Sequence, residues 1–150
     1  MKAHIDLMNY FLAETSLRVK AIIIDIIILT IISGIIYLLS IFLEQEELSM
    51  SIRVLSLLIS AVYFIGLTYY TDGQTIGKMA MNIRVMALDE NNAVVSVKGN
   101  WAAIVLRYLF YSIDFICCGI VAWIVIERSD YQQRVGDIAA RTVVVRIPPK

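Results

Sequence analysis

Apolar positions along the chain gather into three long runs and two short alternating patches. Residues 19–43 contain AIIIDIIILTIISGIIYLLSIFL, a run whose only charged residue is Asp25. A bilayer core needs about 20 apolar residues, so this run predicts a first membrane helix over 19–43. It is too long for a signal-peptide core, and no small-x-small cleavage pattern follows it, which predicts a retained span. Residues 52–70, IRVLSLLISAVYFIGLTYY, predict a second span that ends on Tyr69 and Tyr70, residues suited to the headgroup level. The third run, WAAIVLRYLFYSIDFICCGIVAWIVI over 101–126, is the least apolar and contains Arg107 and Asp114.

Between and after these runs the period changes. NIRVMAL and AVVSVK alternate apolar and polar residues around the turn-prone DENN, predicting a β-hairpin over 82–98. RTVVVRI, residues 141–147, is rich in β-branched valine and predicts a third strand, because a lone hairpin is marginal in water. HIDLMNYFL near the N-terminus fits either a further strand or a short interfacial helix. The expected fold is a single domain over 1–150. It is mainly α and polytopic, with two transmembrane helices, a third broken or re-entrant helical segment over 101–126, and a small cytoplasmic β-sheet made of the hairpin and the strand in the 127–150 tail.

Composition agrees with a membrane protein: 59% of residues are hydrophobic and 17% charged, with a mean hydropathy of +0.76, well outside the usual soluble range. Thirteen basic and thirteen acidic residues cancel, and the arginines are scattered, so nucleic acid is not an expected partner. Cys117 and Cys118 are adjacent in an apolar run and read as small packing residues rather than a redox pair. His4, the lone histidine, has no ligand partners at useful spacing. GQTIGK is one residue short of a phosphate loop, lacks Ser or Thr after the lysine and follows a membrane helix, so its glycines are expected to shape the turn, with Lys78 at the headgroups. Trp101 and Trp123 read as interfacial or packing residues. No Ser/His/acid or Cys/His set exists, so neither catalysis, a cofactor nor a metal is expected.

Charge also sets the orientation. Lys2, Arg18 and Lys20 precede the first span, whereas EQEELSMS over 44–51 carries three acids and no base; the N-terminus is expected in the cytoplasm. Lys78, Arg84 and Lys98 in the 71–100 segment agree. A full third crossing would put Arg128, Arg134, Arg141, Arg146 and Lys150 outside and separate the last strand from the hairpin. A re-entrant hairpin turning near CCG avoids both problems and is the favoured reading. Such backbone needs cover from protein or a wet cavity.

One spelling occurs twice: LRVKAIIID over 17–25 and LRYLFYSID over 106–114. In each, arginine and aspartate lie nearly two helical turns apart, on one face, with the acid ~10 Å deeper. That spacing is too long for direct contact within one helix, so Asp25 and Asp114 must find partners elsewhere. An unmatched aspartate at the helix centre costs ~2.5–3.5 kcal/mol, and such groups tend to face a bundle interior or a pathway. Two carboxyls at one depth can bind a cation or share a proton. The plainer alternative is that Arg18 and Arg107 snorkel to the headgroups while each aspartate is structural glue between helices.

LAETSLRVKAIIIDIIIL, GQTIGKMAMNIRVM and QQRVGDIAARTVVVR, in that order, resemble the three motifs of the RDD proteins of bacterial membranes, over about residues 10–146. The resemblance makes Arg18, Asp25 and Asp137 the family's arginine and two aspartates, with Arg107 and Asp114 matching a pair that members with this ending also carry. Arg141 stands where glycine is usual, Met86 where valine is, and Cys117 and Cys118 where a proline is common. For the family, transport is the implied role, in some members sodium/proton antiport. Two functions follow as expectations. One is a small transporter or transporter subunit in a bacterial cell membrane, exchanging a monovalent cation for protons through Asp25 and Asp114, with Arg18, Arg107, Arg134 and Asp137 as supporting charges. The bilayer, and a second copy or a partner membrane protein, would surround it. The other is a non-transporting module whose cytoplasmic sheet binds a partner protein.

Overall fold

The protein, here as a computed structural model, is described over residues 11–42, 49–116, 124–126, 128–129 and 131–147. The segments HIDLM and EQEEL, the CCG turn and Lys150 lie outside these residues.

Helix α1, Thr15–Phe42, is the isoleucine-rich run continued backward over the LRVK residues. Helix α2, Ser49–Ala61, runs on through a π-helical turn at Val62–Gly66 into α3, Leu67–Tyr70. Both stretches are long and apolar enough to cross a membrane, Thr15–Phe42 with 28 residues and Ser51–Tyr70 with 20. Only 6% of the most apolar window of each is buried inside the protein, so their isoleucines and leucines point outward rather than into a core. The core helix of a soluble protein would be mostly buried, because large exposed apolar faces are unfavourable in water.

After α3 the chain turns at Gly73, where φ is +93° and a Cβ would lie 2.1 Å from the Val85 carbonyl oxygen. Helix α4, Ile76–Ala80, then leads into β1, Ile83–Leu88, and β2, Val94–Ser96. Asp89 caps the hairpin turn, accepting the N–H groups of Asn91 and Ala93. Helix α5 covers Trp101–Ile116, α6 Val135–Ala139 and β3 Thr142–Arg146. The sheet is antiparallel in the order β2-β1-β3. The pairing of RTVVVRI with the hairpin therefore stands, with Val85 opposite Val144. Residues 11–13 cover the outer edge of β3 through a bridge from Leu12 to Val145 and a bond from the Ala13 N–H to the Val144 carbonyl.

Strand parity divides the apolar residues. Ile83, Val85, Ala87 and Val144 pack with Ala21 of α1 and Ile104 of α5, while Met86, Val143 and Val145 face Leu12, Val94 and Tyr131. Helices α1 and α5 thus meet on one face of the sheet, and the polar groups lie at that junction.

Candidate functional site

Asp25 is 1% exposed. Its carboxylate accepts hydrogen bonds from the Tyr63 hydroxyl at 2.6 Å, the Thr75 hydroxyl at 2.6 Å and the Gly77 backbone N–H at 2.8 Å. All three partners donate, an arrangement that suits an ionised acceptor. Tyr63 belongs to the π-helical turn, and Thr75 is the N-cap of α4, where its own oxygen accepts the Lys78 N–H. Glycine at 77 permits the close approach: a Cβ there would lie 2.1 Å from the Ala21 carbonyl oxygen and 2.9 Å from the Asp25 carboxyl carbon.

A second polar centre surrounds Asp137, also 1% exposed, in the first turn of α6. Its Oδ1 lies 2.6 Å from Arg107 Nη1 and 3.9 Å from Arg134 Nε, and its Oδ2 lies 3.7 Å from Arg18 Nη1. The Arg134 backbone N–H donates to Oδ2 at 3.3 Å. Among the described residues no donor is well aligned on Oδ1, which is held there by charge rather than hydrogen-bond geometry. Arg18 uses the rest of its fork on backbone carbonyls: Nε donates to Ala13 at 3.0 Å, Nη1 to Gln132 and Nη2 to Val144 at 3.4 Å. Arg107 also donates to the Thr142 hydroxyl. Five bonding directions in a rigid fork are what allow one guanidinium to join a helix to a strand and a loop.

Electrostatics joins the two centres. Burial would push the Asp137 carboxyl up, but Arg107, Arg134 and Arg18, with the Arg134 N–H, outweigh it and hold the group below the usual carboxylate range. Lys78 is half-buried, and the charges of Arg107, Arg134, Asp25 and Asp137 act on its ammonium. Burial, then the charges of Arg107 and Arg134, push that ammonium down to about 7 against the opposing pull of the two carboxylates.

Arg18, Arg107, Arg134 and Asp137 are thus brought into one cluster, with Asp25 beside it. Asp114 belongs to α5 by its backbone, and its side chain lies outside the described residues. Snorkelling does not describe Arg18 and Arg107, which are 6% and 8% exposed and turned inward onto Asp137. The charges of the same cluster act on the Lys78 ammonium. The sequence reading missed Tyr63, Thr75 and Gly77 as partners of Asp25. The one available signal was GQTIGK itself, a serine/threonine-type cap followed by a glycine where a helix starts against another backbone.

No curated protein and no solved structure matches the chain. Residues 12–141 match the RDD family, which takes in α1, the GQTIGK turn, the β1–β2 hairpin and the Asp137 cluster. The chain belongs to the RDD family.

Proposed function

We propose that this protein is a small integral membrane transporter, or a transporter subunit, of a bacterial cell membrane, and that Asp25 handles the proton or monovalent cation it moves. The observation that carries this reading is a wholly buried carboxylate inside an apolar helix, surrounded by hydroxyl oxygens that can turn from donating to coordinating. Intramembrane carboxylates of this kind mark ion and proton pathways.

The topology that goes with it has α1 and the α2–α3 helix as spans and the sheet on the cytoplasmic side, with the N-terminus. The 16 residues of α5 rise only ~24 Å at ~1.5 Å each, short of a ~30 Å core. The Arg107–Asp137 pair and the β1–β3 ladder favour a segment over 101–126 that enters and returns. Two spans and a hairpin enclose little alone, so the reading includes a second copy or a partner membrane protein.

The test uses the full chain, purified and reconstituted in liposomes with a pH-sensitive dye inside. An imposed sodium or potassium gradient is expected to drive proton movement, and Asp25→Asn to reduce it at least tenfold with the folded yield intact. Absence of cation-linked flux in the wild type, or full flux in Asp25→Asn, overturns the reading. The first result favours the other function, a non-transporting module whose sheet binds a partner protein. One observation supports that alternative: two of the three donors on Asp25, the Thr75 hydroxyl and the Gly77 N–H, belong to the turn and short helix that lead into the sheet.

A further inference from the structure

Two parts of the chain are related across the sheet. The turn, short helix and strand over 73–88 have a counterpart at one constant offset in 132–147. Gln74 Nε2 donates to the Ile83 carbonyl at 3.0 Å, and Gln133 Nε2 donates to the Thr142 carbonyl at 2.7 Å. Left-handed backbone occurs at Gly73 and Gln132, and again at Asn82 and Arg141. The β1–β3 ladder is centred on Val85 opposite Val144, which are themselves counterparts. Its ends close by bonds that exchange under the same operation, Leu88 N–H to the Arg141 carbonyl and Ile147 N–H to the Asn82 carbonyl, each 2.8 Å. An approximate two-fold axis therefore passes between Val85 and Val144. Both valines point to one face of the sheet, so the axis is perpendicular to it.

Helices α1 and α5 lie on that face and meet it near their N-terminal ends, α1 through Leu17 and Ala21 and α5 through Ile104. The two short helices stand beside them. Gly77 of α4 packs on Ala21 and Asp25, and its counterpart Gly136 of α6 packs on Phe110. At those levels the long helices already expose apolar side chains, Val19, Ile23 and Ile26 on α1 and Val105 and Leu109 on α5. The short helices continue that surface: α4 exposes Ile76, Met79 and Ala80, and α6 exposes Ile138 and Ala139, with no polar side chain among them. Met79 and Ile138 are counterparts under the same offset. The hairpin tip differs, exposing Glu90, Asn91 and Asn92.

We propose that α4 and α6 are a pair of lipid anchors, seated where the headgroups of one leaflet meet the acyl chains, and that the sheet lies flat over the bilayer with its two-fold axis along the membrane normal. The inference rests on the reading of α1 and the α2–α3 helix as spans, which turns the helix-bearing face of the sheet toward lipid. A two-fold axis in the membrane plane would carry α1 onto a helix entering from the opposite side. Helices α1 and α5 leave the same face, so the axis runs along the normal.

Apolar side chains exposed at that depth are unfavourable in water and favourable at the interface, where amphipathic helices lie in the plane of the bilayer. Tyr70 and Trp101, both exposed, stand where α3 ends and α5 begins, and Trp101 stacks on Tyr69 with ring centroids 4.4 Å apart. Tyrosine and tryptophan favour the headgroup level. Two or three side chains on each short helix offer far less than the roughly 800 Å² per partner of a stable protein interface, so lipid rather than a protein is the occupant.

The experiment is spin labelling of single cysteines in the full chain, with Cys117 and Cys118 replaced by alanine, reconstituted in vesicles of phosphatidylcholine and phosphatidylglycerol. Met79→Cys, Ile138→Cys, Glu90→Cys and Ile27→Cys all alter exposed side chains, so the core is spared. Each label is compared for collision with oxygen, which concentrates in lipid, and with a nickel chelate, which stays in water. The oxygen-to-nickel ratios at the Met79 and Ile138 sites are expected to match, roughly tenfold above the ratio at the Glu90 site and below that at the Ile27 site. A ratio at either anchor as low as at the Glu90 site overturns the inference, and so does one anchor in lipid with its counterpart in water. Exclusion of both oxygen and nickel at an anchor means that a protein covers it, which also overturns lipid as the occupant. The Ile27 site separates the two readings. Access of the nickel chelate there sinks the spans and the anchors together, whereas lipid at the Ile27 site with water at both anchors sinks the anchors alone.

Discussion

A carboxylate placed in an apolar helix must be met by donors, and at Asp25 one of them is a backbone N–H, available only because residue 77 has no side chain. Gly77→Ala would drive a methyl group into the Ala21 carbonyl at 2.1 Å, a backbone contact that no rotamer change relieves. Overpacking of a tight site costs ~1–3 kcal/mol, and loss of the N–H bond to a charged acceptor adds ~1.5–3 kcal/mol. The expected result is a large fall in the melting temperature in detergent; a melting temperature within 2 °C or so of wild type would show that the helices can part without loss, since ~1 kcal/mol alone shifts a domain of this size by several degrees. Arg18, Asp25 and Arg107 were legible in the sequence because charge in or beside an apolar run is expensive and stands out, whereas Arg134 and Asp137 lie in a polar stretch and were marked by the family resemblance. Tyr63 and Thr75 were not legible, because hydroxyls are common near helix ends and nothing local distinguishes the two that reach Asp25.

Among the elements, the strands were readable from alternation and β-branching, and the pairing of β1 with β3 followed from the marginal stability of a lone hairpin. Register was not readable, since three consecutive valines satisfy either face. The Val85 N–H goes to Gly73, and the ladder closes at Leu88–Arg141 and Asn82–Ile147. The N–H groups of Val143 and Val145 therefore face β1, and that of Val144 does not. Val143→Pro is expected to remove a ladder donor and collapse the cooperative unfolding transition. Unchanged thermal unfolding of Val143→Pro would mean that the ladder contributes nothing to the fold. The π-helical turn at Val62–Gly66 was equally hidden, because the inserted residue leaves the hydropathy of VYFIG unremarkable.

For the whole molecule, the return of the chain to the sheet is the property that decides topology. A reporter fused after Lys150 is expected to be active only in its cytoplasmic form, matching one fused ahead of Met1. Activity of an exported reporter at the C-terminus would require three full crossings and a sheet divided by the bilayer. The long separation of the partners also has a consequence for synthesis. Asp25 waits for Gly77, 52 residues later, which at ~5–20 residues per second is roughly 3–10 s of translation. Arg18 waits longer still, for a carbonyl 114 residues downstream. In the proposed topology, α1 holds its place in the bilayer during that interval with an unsatisfied acid that costs ~2.5–3.5 kcal/mol on insertion scales. In that topology the isoleucines on either side of Asp25 are needed most before the fold exists, when their burial in lipid offsets the cost of the waiting acid.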